Sequence, residues 1–265
     1  MLDPKARSAP GQIQIFPEDH AINELLLGFV AGAQGAEPKA GGSGVFIAPG
    51  IALSACHVVQ AYSDHFNGRG HWNAADASPD FAMQALQYLP GQSRPIWWHV
   101  VAGSFSDNSD LAVLQLEPDH ELERGTPQRY PVLNIEPLIA GTEIQAVGFP
   151  DADLTYVAGQ GWTLNHLAVG ARGQVTQCFP VQRDNASRRY PCFEMNLRTV
   201  SGMSGGPVFD AAGHLRGIVC SEFDFADDGP PVEYASRVCC SICRRLAWAA
   251  PQQKLICCIW PIEGL

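Results

Sequence analysis

The nine residues Ser201-Gly202-Met203-Ser204-Gly205-Gly206-Pro207-Val208-Phe209 constrain this chain more than any other stretch. A serine with glycine two positions before it and two glycines after it lets the backbone turn tightly and aim successive N–H groups at one point. An acyl-transfer nucleophile needs that arrangement, because backbone donors must lie about 3 Å from the oxygen that becomes negative in the tetrahedral intermediate. The N–H groups of Gly202 and Ser204 are the natural pair. The same letters would also serve a glycine-rich turn between two strands, since Gly and Ser are ordinary turn residues.

Two other segments bear on that choice. Gly42 to Val59 reads as strand, turn and strand, ending in His57 after an apolar run, and His57 is expected to start a short helical turn. Ser109-Asp110-Leu111-Ala112-Val113-Leu114-Gln115-Leu116 sets Asp110 directly before a mostly apolar strand; Asp107 is the fallback acid. The chain order His57, Asp110, Ser204 is one of three unrelated orders that bring such residues together.

On these three segments the sequence resembles the trypsin-like, chymotrypsin-fold serine peptidases. It is most similar to bacterial branches such as the HtrA and glutamyl endopeptidase types, over roughly residues 22–248. The resemblance implies an all-β fold of two six-stranded barrels. Ser204 would be the nucleophile, His57 the general base and Asp110 its orienting partner. The N–H groups of Gly202 and Ser204 would form the oxyanion hole, with no metal or organic cofactor. Secreted trypsins carry an aspartate just before the serine, on which a freshly cut N-terminus docks. Here that position is Met203, whose thioether cannot anchor an ammonium group, so activation by that route is not available.

The resemblance also assigns a specificity pocket to Arg198, Thr199, Val200 and Ser201, then Cys220, Ser221 and Glu222, then a stretch near Val232 to Ala235. Arg198 at its base would favour acidic side chains, since a guanidinium suits a carboxylate. Val219 stands where glutamyl endopeptidases add a histidine. The acidic loop Glu222, Asp224, Asp227 and Asp228 would instead favour basic side chains. If Arg198 turns outward or pairs with Glu222 or Glu194, a small neutral pocket is left for short aliphatic side chains.

Along the chain, residues 1–20 read as an extension, 21–125 as the first barrel, 126–248 as the second barrel with a terminal helix at 240–248, and 249–265 as an apolar tail. Short apolar stretches between Gly and Pro punctuation fit β-strands. Glu117 to Val132 reads as the connector between lobes. His65 and His71 meet no metal-ligand spacing and read as surface-loop residues.

The chain has 265 residues, 46% of them hydrophobic and 17% charged, which suits one two-lobed catalytic unit. Its net charge of −10 argues against nucleic acid as a partner, because phosphate binding relies on Lys and Arg. No run of 18 or more apolar residues suggests a membrane span. The nine cysteines, an odd number, match a secreted disulfide framework poorly, and Cys239-Cys240-x-x-Cys243 lacks the partners of a zinc site. Reduced thiols and a cytoplasmic, bacterial setting are expected.

The function these readings define is a serine endopeptidase acting on protein or peptide substrates, restrained by a regulatory protein partner. A catalytically silent scaffold of the same fold, used for binding, and an esterase sharing the triad are the alternatives.

Overall fold

The computed structural model describes residues 12–33, 39–61, 71–73, 81–92, 95–105, 109–120, 129–150, 153–157, 161–165, 167–183, 190–223 and 232–237. Nearly all of the regular structure in these residues is strand. In chain order the first part contains β1 (Ile13–Ile15), a 3-10 turn (Ala21–Glu24), β2 (Leu26–Ala33), β3 (Lys39–Ala48), β4 (Ile51–Ser54), α1 (Cys56–Ala61), β5 (His71–Asn73), β6 (Phe81–Gln87), β7 (Ile96–Phe105) and β8 (Ala112–Pro118). The second part contains β9 (Glu143–Gly148), β10 (Asp153–Val157), β11 (Gly161–Asn165), β12 (Val169–Phe179), β13 (Cys192–Met195), β14 (Pro207–Asp210), β15 (Leu215–Phe223) and β16 (Val232–Arg237).

These strands close into two antiparallel barrels of six strands each. The first runs β7-β6-β2-β3-β4-β8 and is sealed by β7 pairing with β8; β5 hangs on its outside. The second runs β9-β14-β15-β16-β13-β12 and is sealed by β12 pairing with β9. β10 and β11 form a separate hairpin. Closing so few strands demands sharp bends, and the register shifts at Gly28/Val30, Phe46/Ala48, Val100/Ala102 and Val219/Ser221 supply them. Ile51 to Leu53 of β4 and Ala112 to Leu114 of β8 are buried almost completely. One apolar cluster runs from the first barrel across the seam to Val147, Phe149, Phe209, Leu215 and Ile218 of the second. A smaller cluster fills the second barrel and includes Met203.

Two segments differ from the sequence reading. The described part of the expected N-terminal extension is structural: β1 pairs with β12 of the second barrel, Ile13 opposite Ala171 and Ile15 opposite Val169. Phe16 behind it is buried against Gly170, where a Cβ would come within 2.7 Å of the ring. The first residues expected to be strand, Ala21 to Glu24, instead form a 3-10 turn capped by His20, whose Nδ1 accepts the Ile22 N–H at 3.2 Å. The chain after the connector packs on the second barrel, where the buried Arg216 donates to Asp210 (3.2 Å) and to the Glu136 carbonyl (2.7 Å). The expected terminal helix at 240–248, the tail at 249–265, His65 and the Cys239-Cys240-x-x-Cys243 motif lie outside the described residues. No helix among the described residues is long and apolar enough to cross a membrane.

Candidate active site

His57 is the second residue of α1, which follows β4, and Asp110 stands just before β8, the neighbour of β4 in the first barrel. Strand pairing therefore brings together residues far apart in sequence. The Asp110 carboxylate holds His57 twice: Oδ1 accepts the His57 backbone N–H at 3.0 Å, and Oδ2 lies 2.6 Å from Nδ1. The Cys56 N–H donates to the Asp110 carbonyl at 3.3 Å, completing the clamp. The Asp110 side chain is 15% exposed and that of His57 43%, so the carboxylate is sheltered while the ring stays open on its outer side. With Nδ1–H donated to the carboxylate, Nε2 carries the lone pair. The fallback acid Asp107 lies outside the described residues.

Ser204 lies on the opposite barrel, in the loop between β13 and β14. This loop is held by its backbone. Met203 N–H donates to Val200 O (3.1 Å), Gly206 N–H to Met203 O (2.9 Å) and Gly205 N–H to Val219 O (2.8 Å). Gly202 and Gly205 have φ of 91° and 84°, a region in which a side chain is strained. Gly205 has a second reason to be glycine, because a Cβ there would fall 2.1 Å from the Ser43 carbonyl and 3.1 Å from the Ala55 nitrogen. That contact also places the nucleophile loop against the residue two before His57.

Ser43 on β3 joins the two halves, and the sequence reading passed over it. Its N–H donates to the Ser204 carbonyl (2.7 Å), and its Oγ donates to the Gly202 carbonyl (2.8 Å) while accepting the Phe149 N–H (2.8 Å). Ser54 Oγ donates to the Ser43 carbonyl at 2.7 Å. Ser43 and Ser54 are both fully buried. The signal was present as polar residues inside otherwise apolar strands, since buried hydroxyls must find partners. With both carbonyls of the loop drawn toward Ser43, the Gly202 and Ser204 N–H groups have no acceptor among the described residues.

Ser204 is partly exposed, and its Oγ makes no hydrogen bond to His57 among the described residues. The His57–Asp110 pair is thus assembled, and Ser204 is not engaged with it among the described residues.

The residues assigned to the pocket separate. Thr199 and Cys220 are buried and Val200 half-buried, whereas Arg198 and Ser201 are exposed. Arg198 has no ion pair with Glu194, whose carboxylate accepts from Thr176 Oγ1 (2.6 Å) and Tyr234 OH (3.1 Å). The side chains of Ser221 and Glu222 lie outside the described set; their backbones pair with Tyr234 and Glu233 of β16. Cys220 is fully buried, and burial pushes its thiol far above its ordinary range, with the Asp110 carboxylate adding in the same direction. This thiol is a core group rather than a nucleophile. Met203 is buried in the second core, its Sδ 3.4 Å from the Val200 nitrogen. Among the described residues no group of three or more His, Cys, Asp or Glu side chains could hold a metal ion.

Two closed antiparallel barrels, with a histidine–aspartate pair on one and a glycine-bounded serine loop on the other, define the chymotrypsin class of fold. The model of the trypsin-like peptidase domain matches residues 42–218, and the chain belongs to that family, the serine endopeptidases. In fold it is similar to the active form of the Rv3671c protease from M. tuberculosis, with 16% identity, a TM-score of 0.52 and coverage of 95% of this chain and 93% of that one. It is also similar to Deg5 (18% identity, TM-score 0.53, covering 86% and 90%). The HtrA-type protease AlgW with tripeptide gives 18% identity and a TM-score of 0.54, with 87% of this chain covered but 63% of AlgW, so this chain spans less than two thirds of that protein. No curated protein matches it in sequence.

Proposed function

We propose that Ser204, His57 and Asp110 act as a catalytic triad. Ser204 Oγ attacks the carbonyl carbon of the scissile peptide bond while its proton passes to His57 Nε2. The oxygen that becomes negative is met by the Gly202 and Ser204 N–H groups, whose lack of any other acceptor among the described residues supports this role. Collapse of the intermediate expels the amine, which takes the proton from His57, and leaves an ester on Ser204. Water, deprotonated by His57, then hydrolyses that ester. Asp110 keeps the imidazole in the tautomer with its lone pair on Nε2.

The observation that carries this reading is the double hold of Asp110 on His57, at 3.0 and 2.6 Å. A binding scaffold has no need of a sheltered carboxylate fixing an exposed imidazole. The contact between Ser204 and His57 is the part that substrate completes, since catalytic hydrogen bonds tighten when the complex forms. A fluorophosphonate that labels wild type and not Ser204→Ala supports the proposal, and absence of label under every condition overturns it. Faster turnover of an ester than of the matching peptide, with no cleavage of any protein, would favour an esterase.

The exposure of Arg198 and the occupation of Glu194 by other partners support a small neutral pocket bounded by Thr199, Val200 and Cys220. Short aliphatic residues are then preferred before the cleaved bond, and dominant cutting after Asp or Glu that is lost in Arg198→Ala would reverse this assignment. A cytoplasmic setting is supported by Cys178 and Cys220, which form no disulfide among the described residues.

A further inference from the structure

A second concavity lies at the seam, away from the triad residues. It encloses about 800 Å³, and its walls come from the N-terminal segment, the loop after β6, the end of β9 and the start of β12. Tyr88, Phe149, Leu167 and Val169 make it apolar, and among the described residues its charged lining consists of Glu18 and Asp19. The Tyr88 and Phe149 rings stand 6.4 Å apart, tilted by 60°. Burial, reinforced by Glu18, pushes the Tyr88 phenol up to about 12, so it stays neutral and cannot add to the negative charge at physiological pH. An apolar cleft with aromatic walls and two carboxylates at its rim is complementary to a ligand with aliphatic or aromatic side chains beside a cation. The chain's net charge of −10 attracts the same kind of ligand from a distance.

The cleft is wired to the catalytic loop. Phe149, which lines it, donates its N–H to Ser43 Oγ, and the same Oγ donates to the Gly202 carbonyl, each at 2.8 Å. Gly148, the residue before, packs so closely on Met203 that a Cβ there would meet the Met203 Cα at 3.0 Å. A ligand that shifts Phe149 therefore shifts the group that orients the Gly202 peptide.

We propose that this groove binds a basic, apolar peptide segment of a partner protein, and that occupancy is passed through Phe149 and Ser43 to the oxyanion-hole loop. The coupling half of the proposal rests on the peptidase reading; the binding half does not. The test uses the full chain carrying Ser204→Ala, so that the probe is not cleaved, and a fluorescent peptide that alternates Lys with Leu and Phe. Anisotropy reads binding. The double reversal Glu18→Lys/Asp19→Lys weakens it at least about tenfold, as loss of complementary charge at a docking surface should. Leu167→Arg, a second exposed position, weakens it similarly, and melting curves check that both variants remain folded. Equal binding by wild type and both folded variants, or equal binding of a peptide with Glu in place of Lys, overturns the site. In the chain with Ser204 intact, saturating peptide changes the rate of fluorophosphonate labelling by about fivefold or more, the lower range of allosteric couplings. An unchanged labelling rate with intact binding overturns the coupling. If no labelling occurs with or without peptide, the peptidase reading fails while the anisotropy result stands.

Discussion

On the first barrel His57 is held by a side chain, the Asp110 carboxylate; on the second barrel Ser204 is held by main chain, through glycines and carbonyls that answer to Ser43. The first arrangement concentrates the hold in one group that chemistry can remove. The second spreads it over a loop in which no single hydrogen bond decides the shape but the space is already full. Loss of chemistry with an intact fold is therefore the signature expected on the histidine side, and loss of fold together with chemistry the signature on the serine side.

The sharpest test of that contrast is Asp110→Asn. The amide can still fill the site but presents the wrong hydrogen-bonding pattern to Nδ1, so kcat should fall by ~10⁴-fold with little change in melting temperature. A large drop in stability would show that the carboxylate is structural first. Next comes Gly205→Ala, which puts a Cβ 2.1 Å from a backbone oxygen at a φ of 84°. A cost of about 3–5 kcal/mol is expected, combining overpacking with backbone strain. Retained melting behaviour would break the claim that the loop has no room.

Ser43→Ala should lie between the two signatures. It strips the partner from the Phe149 N–H and the Gly202 carbonyl, at about 1–3 kcal/mol for a buried group left unsatisfied. Activity should fall further than stability, read as kcat against denaturant midpoint, because the freed Gly202 carbonyl lies in the loop that carries Ser204 and the proposed oxyanion-hole donors. The smallest effect lies outside both halves. Burial lowers the pKa of His20 below its ordinary 6.5, partly opposed by Asp19, so the folded chain disfavours the imidazolium. The stability this contributes is complete above about 6.5 and is lost as pH falls below it, levelling off once the lowered folded value is passed. His20→Asn keeps a capping side chain and should flatten that slope. An unchanged slope would assign the pH dependence elsewhere.

Short strands were legible from local pattern, as were His57 and Asp110 at strand edges and Ser204 in its glycine-rich turn; the two barrels came from the resemblance those segments carry. The His57–Asp110 hold was legible as well, since the resemblance names the pair. What escaped the sequence depended on three-dimensional company. Residues 1–20 read as an extension, yet Ile13 to Ile15 pair with β12 and Phe16 is buried behind them. Arg198 reads as a pocket base from its position, and only the backbone path turns it into solvent. Ser43 reads as one more small residue between glycines, and its importance comes from partners more than a hundred residues away.

That separation has a consequence for the order in which the molecule matures. The Ser43 hydroxyl meets the Gly202 carbonyl across 159 residues of sequence, so a chain emerging from the ribosome presents its first barrel long before the nucleophile loop exists. Domains fold as units, N-terminal first, during synthesis. The second barrel, when it follows, brings Ser204 to His57 and Ser43 only by docking on a finished neighbour. Half-made or half-unfolded copies of this peptidase therefore lack a working centre, and the cell is spared a cutting edge on a chain that has not yet taken its final shape.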